Sequence, residues 1–172
     1  MKLNIQQETA QDFNAVFELN KLAFGQENEP KLVELLRKSS AFIPELSLVA
    51  WFQNQIVGHI LFTKIKIVNN ENDTESLALA PMAVLPEFQQ KGIGGQLVNS
   101  GIEEAKELGY KSIIVLGHEH YYPKFGFEPA EKWNIKSPYD VPANVFMALE
   151  LTPNGLENTS GLVVYPKEFD TV

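Results

Sequence analysis

Two spacings alternate along this chain, and the order in which they appear predicts the architecture. Lys2 to Gln6 alternates polar and apolar residues as a strand does. The spacing then becomes helical: Phe13, Val16, Phe17, Asn20 and Phe24 share a face, with Thr9 and Asp12 as a helix start and Gly25 as a stop. Glu29 to Lys38 reads as a second helix with Leu32, Leu35 and Leu36 on one face. Pro44 precedes a strand over Leu46 to Phe52, and the polar turn Gln53-Asn54-Gln55 leads into a long β-rich run, Ile56 to Val68. The polar loop Asn69 to Thr74 returns the chain as a hairpin into Ser76 to Leu85.

Helical spacing resumes in Leu97, Val98, Ile102, Ala105 and Leu108 and stops at Gly109. Ser112 to Leu116 follows as a short apolar strand of the kind that lies centrally, covered on both faces. A strand, a helix and a strand of these lengths form a right-handed parallel unit. After it come an aromatic turn over Tyr121 to Phe127, a Pro-rich loop over Ser137 to Pro142, and a strand over Val145 to Leu151. Leu162 to Tyr165 is a last strand or an ordered tail. The fold class is therefore α/β: one domain with a mixed, mostly antiparallel twisted sheet of about seven strands and helices on both faces.

Composition narrows what such a domain does. At 172 residues and 44% hydrophobic, the chain can bury a full core as a single domain. It has no cysteine, which excludes thiol nucleophiles, thiolate metal sites and disulfide frameworks together. The net charge of −8 repels polyanions, so no nucleic-acid partner is expected, and cationic or neutral substrates are favoured over acidic ones. No apolar run approaches the roughly 20 residues of a membrane span, and the strand-like start lacks a signal peptide's apolar core. The expectation is a cytoplasmic protein without a membrane partner, a monomer or a homodimer.

The most informative stretch runs from Met82 to Leu97. A buried strand ends at Pro86, a glycine-rich turn follows, and a helix begins. Such a turn aims several backbone N–H groups and the positive end of a helix dipole at one point, where a phosphate settles. The absence of Gly-Lys-Ser/Thr excludes a kinase-type phosphate loop. A dinucleotide fingerprint would need a glycine where Leu97 stands, and would follow the first strand of the domain. A purely structural turn is the remaining alternative.

The spacing Gln89-x-x-Gly92-x-Gly94 resembles the acetyl-CoA pyrophosphate signature of the GNAT N-acetyltransferases, and Ala83 to Gln89 resembles the strand end and Pro-Glu-aromatic-Gln that lead into it. Tyr122-Pro123-Lys124-Phe125-Gly126-Phe127 is similar to that family's later Tyr-x-x-x-Gly-Phe segment. Ser47 to Ala50 and Ile56 to Ile60 resemble its second and third strands. The resemblance covers a core of about residues 3–151 within a single domain of 1–172; the extension 152–172 resembles a bacterial branch of the family.

The resemblance implies acetyl-CoA as cosubstrate. It assigns the pyrophosphate to Gln89, Gln90, Lys91, Gly92, Ile93, Gly94 and Gly95, and the pantetheine to the strand backbone at Met82, Ala83 and Val84. Lys91 reads equally as a solvated loop lysine, and Lys124 as scaffold or as a neighbour of the CoA phosphates. An amide near Ala83 or Val84 would polarise the thioester carbonyl. This strand is expected to splay from Ser112 to Leu116, with Pro81 fitting an interrupted ladder. The implied reaction is direct attack of a neutral amine on the thioester. Tyr122 stands at the family's tyrosine position and would protonate the departing sulfur, with Tyr121 as a packing neighbour. Ala78, Leu79 and Ala80 occupy the region where some members carry a glutamate base, and Glu75 lies too early. His118 at the cleft mouth would take the amine proton through water; otherwise the deprotonated amine comes straight from solution.

His118 and His120 could form a metal pair, but no third ligand is evident beyond distant His59, so no metal is expected. His59 reads as a packed or hydrogen-bonded core residue. Acceptor specificity is expected from Phe13 to Lys38 and Trp133 to Asn144, with Phe24, Phe42, Trp133 and Tyr139 as candidate lining. The leading function is acetylation of a small-molecule primary amine. The alternatives are an acyl-CoA sensor without catalysis and a protein or peptide N-acetyltransferase.

Overall fold

The computed structural model of the protein describes residues 1–171; Val172, the last residue of the extension, lies outside them. The elements in chain order are β1 (Asn4–Gln7), α1 (Phe13–Phe24), α2 (Asn28–Arg37), β2 (Phe42–Phe52), β3 (Gln55–Val68), β4 (Asp73–Val84), α3 (Ile93–Glu107), β5 (Ser112–Leu116), β6 (Glu128–Pro129), β7 (Ile135–Lys136), β8 (Phe146–Glu150) and β9 (Gly161–Val164). The strands form one sheet in the order β1-β2-β3-β4-β5-β8-β6, with β9 beside β3 and β7 beside β9. All seven expected strands are present, and the two-residue strands β6 and β7 bring the described residues to nine. Only β4–β5 and β7–β9 are parallel.

Helices lie on both faces, as two contacts of β3 establish. On one face, a side chain at Gly101 of α3 would collide with the Phe62 ring, so the helix lies directly against the sheet. His59 points the other way, since residues an odd number apart along a strand face opposite sides, and it meets Asn20 of α1. The buried stripe of α1 is Val16, Leu19 and Asn20; that of α2 is Leu32, Val33 and Leu36, which leaves Leu35 exposed. A second apolar cluster under the C-terminal segment joins Ile65, Ala78, Ile114, Phe146 and Val163.

Irregularities fall where proline removes a donor. β2 begins at Phe42, earlier than expected, because the strand runs through Pro44 with its register broken between Phe42 and Ser47. β4 carries one extra residue between Leu79 and Met82, where Pro81 stands. At the start of the turn into α1, the Thr9 N–H donates to the Asp12 carboxylate at 2.8 Å, as the capping pattern predicts.

A buried polar chain ties the first half of the fold together. Asn20 Nδ2 donates to the Val16 carbonyl at 3.0 Å and lies 3.3 Å from His59 Nδ1. That nitrogen therefore accepts, and the ring proton sits on Nε2, 3.1 Å from Ser47 Oγ. The Ser47 hydroxyl donates to Glu8 Oε1 at 2.9 Å, and Arg37 of α2 donates to both Glu8 oxygens. The Arg37 guanidinium also covers the ring of Phe13, 3.9 Å from its centroid. His59 is thus the hydrogen-bonded core residue that was expected.

Burial, reinforced by the charge of Arg37, lowers the pKa of His59 to about 3. An unfolded chain would take up the proton near 6.5, so below that pH the unfolded state binds more protons than the folded one. Stability contributed by neutral His59 is complete above pH 6.5 and falls as pH drops towards 3, by about 1.4 kcal/mol per unit. Urea denaturation between about pH 7 and pH 5 should show this slope, and His59→Gln should be less stable at neutral pH but lack it.

Candidate active site

β4 and β5 pair at only two register positions, Leu77–Ile113 and Ala78–Ile114, and then part. Below the split, the hydroxyls of Ser76 and Ser112 meet at 2.7 Å and clamp the strands together. Above it, the β4 edge that faces away from β3 is unpaired. The Leu85 N–H donates to the Val57 carbonyl at 2.9 Å, which fixes the phase of the antiparallel ladder. By alternation, Ala83 turns its backbone groups to His59 on β3, while Met82 and Val84 direct theirs into the cleft. Ala83 is also buried, whereas Met82 and Val84 line the groove. The expected strand contact therefore narrows to Met82 and Val84.

The chain reaches the glycine turn through a short helical turn at Pro86–Phe88. The Gln89 side chain folds back to donate to the Val84 carbonyl at 3.1 Å, joining the turn to the strand end. Gln90 has φ +62°, and Gly92, at the N-cap of α3, has φ +82°. At Gly92 an L residue would be strained, although nothing lies near a Cβ there. No side chain caps α3, so the N–H groups of its first turn are left for another partner. Ile93 contributes its backbone to that turn while its side chain is buried in the core.

A groove of about 440 Å³ runs along these groups, lined by Met82, Val84, Gln89, Gln90, Gly92 and Gly94 among others. Lys91 is exposed and lies outside its lining; the lysine that borders it is Lys124, whose ammonium sits 4.1 Å from the Tyr121 ring centroid. Of the two lysines that the sequence offered, Lys124 in the aromatic turn is therefore the one at the groove. That turn packs edge to face, with ring centroids 5.1 Å apart for Tyr121–Tyr122 and 5.6 Å for Tyr122–Phe127. Tyr121 does more than pack: a Cβ at Gly94 would be 3.1 Å from its hydroxyl, which stands over the first turn of α3.

A second cavity of about 440 Å³ fills the split between β4 and β5. Its walls include Ala78, Leu79, Ala80, Pro81, Ile114 and Leu116. The two cavities share Met82, His118 and Tyr122, which stand where the groove and the pocket meet. Tyr122 is 7% exposed, and its hydroxyl makes no hydrogen bond to another described residue. Burial, with the neighbouring Tyr121, pushes its pKa up to about 12, so the phenol keeps its proton at any physiological pH. His118 is exposed, and its carbonyl receives the N–H groups of Tyr121 and Tyr122. His59 is buried against Asn20 and Ser47, and no cluster of three His, Asp or Glu residues suited to a metal occurs among the described residues.

The pocket's lining also holds residues that the sequence did not single out. Phe24 and Tyr139 line it as expected, but Phe42 and Trp133 do not. Tyr165 and Phe169 of the C-terminal extension take their place, 5.1 Å apart between centroids, with Tyr165 and Tyr139 at 5.4 Å. Glu29, in the first turn of α2, is the one carboxylate among the described lining residues, and Gln26 donates to both of its oxygens at 2.9 and 3.2 Å. Neither signal was legible beforehand. Acidic residues are ordinary in a first helical turn, and the tail reaches the pocket only because β9 docks on β3.

This arrangement has close parallels. The family model described as "Acetyltransferase (GNAT) family" matches residues 13–127. The uncharacterised N-acetyltransferase YjhQ of Escherichia coli K12 is 39% identical over 132 residues, spanning 76% of this chain and 73% of that protein. The crystal structure of the GNAT family N-acetyltransferase YhbS of Escherichia coli, in complex with CoA, superposes with a TM-score of 0.91 at 27% identity, covering 99% of this chain and 93% of that one. A GNAT family acetyltransferase from Brucella melitensis, in complex with acetyl-CoA, gives 0.80 at 29%, covering 98% and 99%. With its split sheet, its uncapped helix behind a glycine turn and these matches, the chain belongs to the GNAT family of acetyltransferases.

Proposed function

We propose that this protein transfers an acetyl group from acetyl-CoA to the primary amine of a small molecule, with both substrates bound together. The observation that carries this reading is the meeting of two cavities at Met82, His118 and Tyr122. One cavity has the features a coenzyme A thioester needs and the other has room for an acceptor. The relatives solved with CoA and acetyl-CoA support the assignment of the first.

The residues fit the cosubstrate. The N–H groups of Gly92 to Gly95, at the positive end of the α3 dipole, suit a diphosphate, and Lys124 adds a cation at the same groove. The outward backbone groups of Met82 and Val84 suit the pantetheine amides, as an added strand would. When bound, the cosubstrate supplies an activated acetyl group. A backbone N–H at Met82 or Val84 donates to the carbonyl oxygen on which negative charge develops. Tyr122 gives its proton to the sulfur as the C–S bond breaks. His118 receives, through water, the proton that the amine loses as the new C–N bond forms, so one proton leaves nitrogen and one reaches sulfur.

The raised Tyr122 pKa has a defined sense. A phenol held near 12 is a weak proton donor to a free thiolate near 8.5, so its help comes as the sulfur becomes negative within the cleft rather than before. Tyr122→Phe should lower kcat on the order of 10² while leaving the calorimetric Kd for acetyl-CoA nearly unchanged; unaltered turnover would remove the tyrosine from the chemistry. Substituting Gly92 by Val should cost about 1–2 kcal/mol of local strain, and Gly94→Leu should crowd Tyr121. Each should weaken acetyl-CoA binding roughly tenfold or more while circular dichroism reports a folded domain. Normal calorimetric binding by both would overturn the cosubstrate assignment.

A further inference from the structure

We infer that the acceptor is a hydrophobic primary amine, an aryl- or alkyl-substituted ammonium ion without an acidic group, which Glu29 anchors against an aromatic wall. The inference rests on the acetyl-transfer reading and names its substrate class. It follows from what the pocket contains and what it lacks.

Among the described residues no lysine or arginine lines the pocket, so an acceptor's carboxylate or phosphate would enter without a permanently charged partner, a costly burial. The walls are apolar strand residues and five aromatic rings, those of Phe24, Tyr122, Tyr139, Tyr165 and Phe169. Aromatic faces attract cations as well as apolar groups. The only carboxylate among the described lining residues is also free of a cation. Lys21 and Lys31, the ammonium groups nearest in sequence, both pair with Glu27 at 3.2 and 3.3 Å. Glu29 is held instead by the neutral amide of Gln26, which orients the carboxylate and leaves its charge unpaired among the described residues. A cationic ligand completes that arrangement. The chain's net charge of −8 favours its approach at long range.

The extension gives the preference its shape. The rings of Tyr139, Tyr165 and Phe169 run in contact from the 137–142 loop to the C-terminal turn, which packs on α2. A cavity of about 440 Å³ with such a wall admits a single ring or a short chain behind the amine. Glu29 binds and positions the ammonium form, which releases one proton to solvent to become the neutral nucleophile. The second proton, lost as the C–N bond forms, passes through water to His118, and Tyr122 protonates the sulfur.

Matched acceptors test this directly. Purified protein and acetyl-CoA would be assayed for CoA release with 2-phenylethylamine and tyramine, and with phenylalanine and tyrosine, which differ by one carboxylate. The amines should exceed the amino acids in kcat/KM by on the order of 10². Glu29→Gln should raise KM for the amines about tenfold or more with a smaller change in kcat, leave the Kd for acetyl-CoA unchanged, and narrow the gap to the amino acids. Tyr165→Ala should raise KM for the aromatic amines. Equal rates for amines and amino acids, or an unaffected Glu29→Gln, would overturn the inference. Acetylation confined to peptides or acidic amines would overturn it while leaving acetyl transfer intact. Failure to bind acetyl-CoA would overturn both readings.

Discussion

Backbone hydrogen bonding between β4 and β5 lasts for two residues, and the rest of the site is a consequence of its ending there. A central sheet edge left open costs free energy unless its polar groups find a partner. Here the edge cannot close on itself, because Pro81 offers no donor, the extra residue in β4 shifts its phase, and β5 already pairs with β8 on its other side. The open groups of Met82 and the Val84 N–H therefore await an extended ligand with amides of its own, while the Val84 carbonyl already accepts from Gln89. The strand also delivers the chain directly into the turn before α3, so the same stretch presents strand edge and helix dipole in sequence. A molecule with amides at one end and a diphosphate at the other matches that order.

Features decided by local chemistry were legible in advance. Alternation located the strands, and the glycine turn announced an uncapped helix because few other roles require that residue pattern after a buried strand. The phase of the β4 ladder was not legible. Ala83 was grouped with Met82 and Val84, yet one residue's shift along a strand exchanges the cleft edge for the β3 edge, and only the pairing with Val57 fixes which is which. Both lysines were offered in advance, each with a scaffold or solvated reading beside it, and only the fold shows that Lys124 borders the groove while Lys91 lies outside its lining: adjacency in sequence to a turn says little about which side chain points along it.

The pocket in the split between β4 and β5 was the least legible part, because it is assembled from segments far apart in the chain. Phe24 and Glu29 come from the α1–α2 region, Tyr139 from a loop near the end, and Tyr165 and Phe169 from the extension. Each is unremarkable in its own neighbourhood. What brings them together is β9, which occupies the stretch of the β3 edge that β2 leaves vacant: β2 pairs with β3 only as far as Thr63, and β9 pairs with Lys66 to Val68. The tail is thus part of the sheet before it is part of the pocket, and its aromatic rings inherit a fixed position from backbone pairing.

The buried polar chain has a bearing on the same pocket. α2 is a short rod, and its two ends carry different duties. Arg37 at one end is locked to Glu8, which Ser47 and His59 orient from the sheet; Glu29 lies eight residues away, about 12 Å along the axis, in the pocket wall. An ion pair buried to this degree adds little net stability, since desolvation offsets most of its attraction. It does penalise alternative positions of α2 heavily, because any slip would leave Glu8 or Arg37 charged and alone in the interior. A hydrophobic stripe of Leu32, Val33 and Leu36 could slide by a turn at modest cost, whereas the bidentate pair cannot. The polar chain therefore fixes the register of the helix that presents Glu29, and the geometry of the pocket wall depends on a histidine that never touches it.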